Sequence, residues 1–185
     1  MAKLEASTDL WVYDLLKEAE INLEPQGSTI KEIDEALKTA SKRGTNKVGF
    51  PEYVGVVKDF LIVIENKASL NNHIKINDKD IICENVDSIT DYAVNGALFY
   101  GKHLSKNTSY SKIIAIGISG NEKRHRITPI FIDERQNYIE LSDIESFILF
   151  NEQNIDEYYI REILKEPTNY EKRNERYFKR CFNIT

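Results

Sequence analysis

Glu52, Glu65 and Lys67 are residues whose types and spacing suit chemistry. Pro51-Glu52 is separated by twelve residues from Glu65-Asn66-Lys67. The stretch between them reads Tyr53-Val54-Gly55-Val56-Val57, Lys58-Asp59, Phe60-Leu61-Ile62-Val63-Ile64. Two apolar runs around a two-residue polar link predict a β-hairpin. With Lys58-Asp59 as the loop, Val57 pairs with Phe60, Val56 with Leu61 and, at the far end, Glu52 with Glu65. Directly opposite residues share a face, roughly 5 Å apart at Cβ. Lys67 lies two residues beyond Glu65 and points to that face too. Carboxylates directly opposite one another repel unless a positive charge lies between them. A hard divalent cation held by oxygen ligands supplies that charge. A lysine beside it is a point charge suited to phosphate.

Asp59 competes with Glu52 for the role of first carboxylate. It precedes Glu65 by six residues of the same extended strand, about 20 Å, too far to share an ion. It is expected to be a turn residue.

These residues must be positioned by the surrounding elements. Residues 4–20 are rich in helix formers, with Trp11, Leu15, Leu16 and Ala19 as apolar anchors. Glu24 to Ser28 reads as a loop. Ser28 or Thr29 is the expected cap of a helix over about 30–42, whose end Lys42 and Arg43 suit. Residues 60–68 are apolar on both faces until Glu65, which predicts a central strand covered on each side. Residues 69–90 are polar; Ile74, Ile76, Ile81 and Ile82 belong to short edge strands or an insertion. A helix is expected over about 90–105, then an apolar strand Lys112–Ser119. A further strand, Arg126–Ile132, carries Pro129, which argues for an edge or a bulge. Helices are expected over about 142–150, 155–165 and 168–182. The order predicts an α/β fold with a mixed central sheet flanked by helices and extra C-terminal helices. We divide the chain into a domain over 1–165 and a helical linker over 166–185 leading toward a following domain.

Composition bounds the possibilities. The chain has 185 residues, 41% of them hydrophobic, which suffices for one core of ordinary size. No apolar run reaches the roughly 18 residues of a membrane span. Cys83 and Cys181 lie far apart, and a reducing cytoplasm is the simplest setting. The net charge of −5 argues against a large freestanding nucleic-acid-binding surface. Basic residues cluster locally, at Lys42-Arg43, Lys123-Arg124 with Arg126, and Lys172-Arg173. No Gly-x-x-x-x-Gly-Lys-Ser/Thr loop for ATP and no Asn-Pro-Pro-Tyr methyltransferase motif is present.

Pro51-Glu52, twelve residues and then Glu65-Asn66-Lys67 resembles the signature of the PD-(D/E)xK nuclease superfamily, with Glu in place of the first Asp. Ser41-Lys42-Arg43-Gly44, Gly49-Phe50-Pro51-Glu52-Tyr53, Asp91 to Ala97 and Ile116-Gly117-Ile118-Ser119-Gly120 extend the likeness over roughly residues 28–135. They resemble the N-terminal endonuclease domain of type IIG or type I-like restriction-modification enzymes, in which an N-6 adenine DNA methyltransferase follows. The resemblance implies a restriction-endonuclease-like αβββαβ core. It also implies a Mg²⁺-dependent endonuclease, with Mn²⁺ as substitute, acting on double-stranded DNA. Methyltransferase and target-recognition domains would be partners, two copies would pair during cleavage, and the setting would be the bacterial or archaeal cytoplasm.

In that reading Glu52 and Glu65 hold the metal, and Lys67 holds the attacking water and stabilises charge on the phosphate. Glu32, Asp34 and Glu35 are available as a third acid, and Asp34, which flanks the apolar stripe of its helix, is favoured. Asn95, His73 and Lys42 are candidate DNA or phosphate contacts, and Tyr100 is a candidate to face the site. Two rival readings stand beside this one: a non-catalytic binding or assembly module of the same fold, and a repair or transposition nuclease of the same superfamily.

Overall fold

The chain opens with α1 (Ala2–Glu18), a two-residue strand β1 (Glu24–Pro25) and a short helix α2 (Lys31–Leu37). The computed structural model describes residues 2–44 and 48–165. The apolar runs around Lys58-Asp59 form the predicted hairpin, β2 (Tyr53–Val57) and β3 (Phe60–Lys67). Val57 lies opposite Phe60 and Tyr53 opposite Ile64. Lys58 takes φ 53°, the positive value that a tight two-residue hairpin turn demands of its first position. After an irregular segment come α3 (Val86–Asp91) and α4 (Ala93–Asn107), then β4 (Lys112–Asn121), β5 (Arg124–Ile132) and β6 (Tyr138–Glu140).

The six strands form one sheet in chain order, from β1 to β6. Neighbours are antiparallel except β3 and β4, which run parallel. A parallel pair needs a crossover, and α4 supplies it. Three strands, a crossover helix and a fourth strand reproduce the expected αβββαβ order. α2 is inserted before β2, and β5 and β6 are added.

β3 is central and buried on both faces, as its unbroken apolar run predicts. Phe60, Ile62 and Ile64 join Ile114, Ile116 and Ile118 of β4 under Val12 and Leu16 of α1 and Ala19 just after it. On the other face Leu61, Val63, Ile113 and Ala115 pack against Ile33 and Leu37 of α2 and Ala97, Leu98 and Leu104 of α4. Period-two alternation along each strand thus feeds two separate cores.

Several expectations are corrected. α2 stops at Leu37, so Lys42 and Arg43 do not sit at its end. Its N-cap is Ile30, with no side-chain cap; the Ser28 hydroxyl accepts from Ile30 N at 3.1 Å, and Thr29 donates to Glu24. The stretch 74–82 is an insertion closed by a single bridge between Ile76 and Ile82.

Pro129 is neither at the sheet's edge strand nor unpaired: β5 lies between β4 and β6. The Pro129 carbonyl accepts from Leu141 N, so its missing N–H faces the β6 side and costs the β4 ladder nothing. Residues 142–150 hold one 3₁₀ turn, Phe147–Phe150. Ile144 N instead bonds to the Ile127 carbonyl, which lays this chain along β5. Residues Ile155–Tyr158 are α-helical (α5) and Tyr159–Ile163 form a π turn. The helix over 168–182 and the linker lie outside the described residues.

Candidate metal and phosphate site

Glu52 immediately precedes Tyr53, and Glu65 immediately follows Ile64. Tyr53 and Ile64 form the last pair of the β2–β3 ladder, so Glu52 and Glu65 leave it at the same end, near enough for Glu65 to act on the Glu52 carboxyl. The next strand places Gly117 beside Glu65 and Ser119 beside Lys67; beyond them lie Thr128 and Arg126 of β5. A polar row therefore crosses the sheet on the α4 face, where the core of Leu61, Val63, Ile113 and Ala115 ends. The segment before Glu52 is fixed from beneath: Gly49 N bonds to the Leu37 carbonyl at 2.8 Å, and Phe50 N donates to the Tyr100 hydroxyl at 3.0 Å.

Glu65 is 2% exposed and pairs with the Lys42 ammonium at 2.7 Å. Lys42 also lies over the Tyr100 ring, 4.9 Å from its centre. Glu52 carries the electrostatic mark of the site. Burial, then repulsion from Glu65 and Asp9, pushes its carboxyl up to about 7, against the pull of Lys67 and Lys42. Burial and the same two glutamates also raise the Tyr100 hydroxyl. Raised acids gathered at one end of a buried strand are characteristic of sites built for charge chemistry.

Glycines make room for this arrangement. A Cβ on Gly96 of α4 would stand 3.1 Å from the Lys42 nitrogen and 3.2 Å from a Glu65 oxygen. A Cβ on Gly117 would stand 2.5 Å from the Val94 backbone, so α4 starts directly over the strand.

Asp34 lies away from the two glutamates, whereas Asn95 and His73 are taken up by contacts within the fold. Asp34 is 49% exposed on α2 and pairs with Lys38 at 3.4 Å. Among the described residues, no group of three or more His, Cys, Asp or Glu side chains is gathered as a metal-holding cluster, so Asp34 does not join the two glutamates. Asn95 is buried and spent on the fold: its Oδ1 accepts from Lys75 N, and its Nδ2 donates to the carbonyls of Lys75 and Cys83. Phosphate contact would require breaking those bonds. His73 is likewise buried, with Nδ1 2.8 Å from the Ser119 hydroxyl and Nε2 2.7 Å from that of Thr128. Burial, then Arg126, lowers it to about 4, so the ring is neutral and faces the fold rather than DNA. Asp59 is a turn residue, paired with Lys112 at 2.7 Å.

Sequence reasoning missed the Lys42–Glu65 pair. No local pattern joins residues 42 and 65, because the pair forms only when the end of the α2 segment docks beside β3.

Two carboxylates face to face are a fitting donor set for Mg²⁺. That ion takes one or two protein carboxylates and fills its other positions with water and substrate phosphate.

The chain is related to a restriction-modification enzyme. It is 33% identical over 168 residues to the type II restriction enzyme and methyltransferase RM.BcgI of Heyndrickxia coagulans. The match takes in 90% of this chain and 26% of that protein, so the chain spans about a quarter of the relative's length. No protein-family model and no solved structure matches it. Among the described residues no helix is long and apolar enough to cross a membrane.

Proposed function

We propose that this chain is the Mg²⁺-dependent DNA endonuclease part of a restriction-modification enzyme, of the PD-(D/E)xK superfamily and the type IIG or type I-like class. The opposition of Glu52 and Glu65 at the end of a buried hairpin, with Lys67 on the same face, carries this reading. The likeness to RM.BcgI supports the biological setting.

In this reading Glu52 and Glu65 hold the metal, which when bound supplies positive charge at the scissile phosphate. Lys67 presents its ammonium to the attacking water and to the phosphate oxygens. There it offsets the charge that grows in the transition state, without needing to reorganise. Tyr100 and Gly49 fix the backbone that carries Glu52. The double-stranded DNA is chosen by a target-recognition part of the larger protein, which also carries the methyltransferase. Residues 1–165 form the nuclease unit and 166–185 lead toward those parts. Cutting both strands calls for two such units, and the setting is the cytoplasm.

Titration calorimetry with Mn²⁺ tests the site. Binding is expected in the chain as it stands, lost in Glu52→Gln and in Glu65→Gln, and kept in Lys67→Ala and Asp59→Asn. Joined to its recognition part, Lys67→Ala should cut DNA roughly 100-fold more slowly, whereas Asp59→Asn should cut normally. Mn²⁺ binding that survives both Gln substitutions would sink the assignment.

A further inference from the structure

Lys42 occupies a fitted slot. Its nitrogen touches a nearly fully buried carboxylate, lies over an aromatic face, and rests in the gap left by Gly96. A buried carboxylate needs a cation close by, since an uncompensated charge there is costly. The Lys42 side chain is 16% exposed, against 2% for Glu65, so it is the less buried member of the pair. The segment bearing it is not helical: α2 ends five residues earlier, and Gly44 turns the chain with φ 62°. Two carboxylates are then balanced by two ammonium groups, those of Lys42 and Lys67. A divalent ion entering between the carboxylates balances both of them by itself, so neither carboxylate then needs an ammonium partner.

We propose that Lys42 is a stand-in for the metal: its ammonium occupies the cation position on Glu65, leaves when a divalent ion binds, and then contacts the scissile phosphate. This rests on the metal-site reading above and adds to it an exchange of cations on one carboxylate. Lys67 is not the cation on Glu65: the ammonium that pairs with that carboxylate, at 2.7 Å, is that of Lys42. The arriving ion adds two positive charges to the site, and so makes it more attractive to DNA, only when the metal is present.

Mn²⁺ calorimetry on the 185-residue chain and on Lys42→Met tests the exchange. The Met side chain fills a similar volume without charge. Removing the competing ammonium should tighten Mn²⁺ binding by about tenfold, and adding Glu65→Gln to that variant should abolish the gain. Equal or weaker binding in Lys42→Met, with binding intact in the unaltered chain, overturns the exchange and leaves the metal site standing. Absence of Mn²⁺ binding in both proteins overturns the metal site and the exchange together.

A second measurement needs no substitution. Reductive methylation read by mass spectrometry should label Lys42 several-fold faster once Mn²⁺ is added, with Lys58 and Lys112 unchanged. Lys42 labelling that is indifferent to Mn²⁺ overturns the proposal even if Lys42→Met fails to fold.

Discussion

Gly117 stands beside Glu65 on the neighbouring strand, and Val94 at the start of α4 lies directly on it. A methyl group added at Gly117 would come within 2.5 Å of both the nitrogen and the Cα of Val94. Backbone cannot swing away as a flexible side chain can, so α4 would have to lift. Gly117→Ala is therefore expected to cost about 2–3 kcal/mol of stability. It should also weaken Mn²⁺ binding, because Gly96 and Tyr100 ride on the same helix. Urea denaturation with calorimetry checks both effects; a variant as stable as the parent would mean that the contact is soft.

Glu52 gives the protein a signature in pH. Its carboxyl ordinarily titrates at 4.5 and is raised to about 7 in the fold, first by burial and then by Glu65 and Asp9. A group that holds its proton more tightly when folded contributes stability at low pH, and that contribution is lost as pH rises from 4.5 toward 7. Glu52→Gln cannot ionise and escapes the loss. Without metal, the variant should exceed the parent by about 1–2 kcal/mol at pH 8 and lose that advantage by pH 4.5. Paired urea titrations at the two values read this out, and a constant difference would refute it.

His73 acts in the opposite direction. Burial, then Arg126, lowers its imidazole from 6.5 to about 4, against the pull of Asp143. The unfolded chain takes up the proton first, so this contribution is lost as pH falls from 6.5 through 4. His73→Leu leaves the Ser119 hydroxyl without its 2.8 Å partner. The expected cost is about 1–3 kcal/mol at pH 7. That cost should shrink at pH 4.5, where the parent has lost what the variant never had. If it grew instead, the histidine would be charged in the fold.

The hairpin that positions the carboxylates was legible because its signals are local. A tight polar turn and uninterrupted apolar runs define the β2–β3 register, which ends at Tyr53 and Ile64, next to Glu52 and Glu65. Lys42, Asn95 and His73 resisted reading for the opposite reason. Each was a polar residue in a suggestive place, and its role depended on groups remote in sequence. Asn95 ties down the main chain of Lys75 and Cys83, and His73 bridges hydroxyls 46 and 55 residues away. Lys42 looked like a helix-end charge or a phosphate contact until α2 ended early and its chain turned toward Glu65. Pro129 misled because a proline forbids one ladder bond, not a second neighbour.

The rims of the sheet carry a further consequence. β1 has two residues and β6 three, yet β2 and β5 are not left bare. A Cβ on Gly55 would meet Leu23 and the Asn22 carbonyl, so the chain leading into β1 lies over the face of β2, and β1 itself pairs with its edge. The chain leaving β6 bonds to Pro129 and Ile127. An invading strand from another molecule therefore finds only a few main-chain groups to grip at either border. Among the described residues, such blunt borders leave little edge on which strand addition, the first step of amyloid-like stacking, could begin.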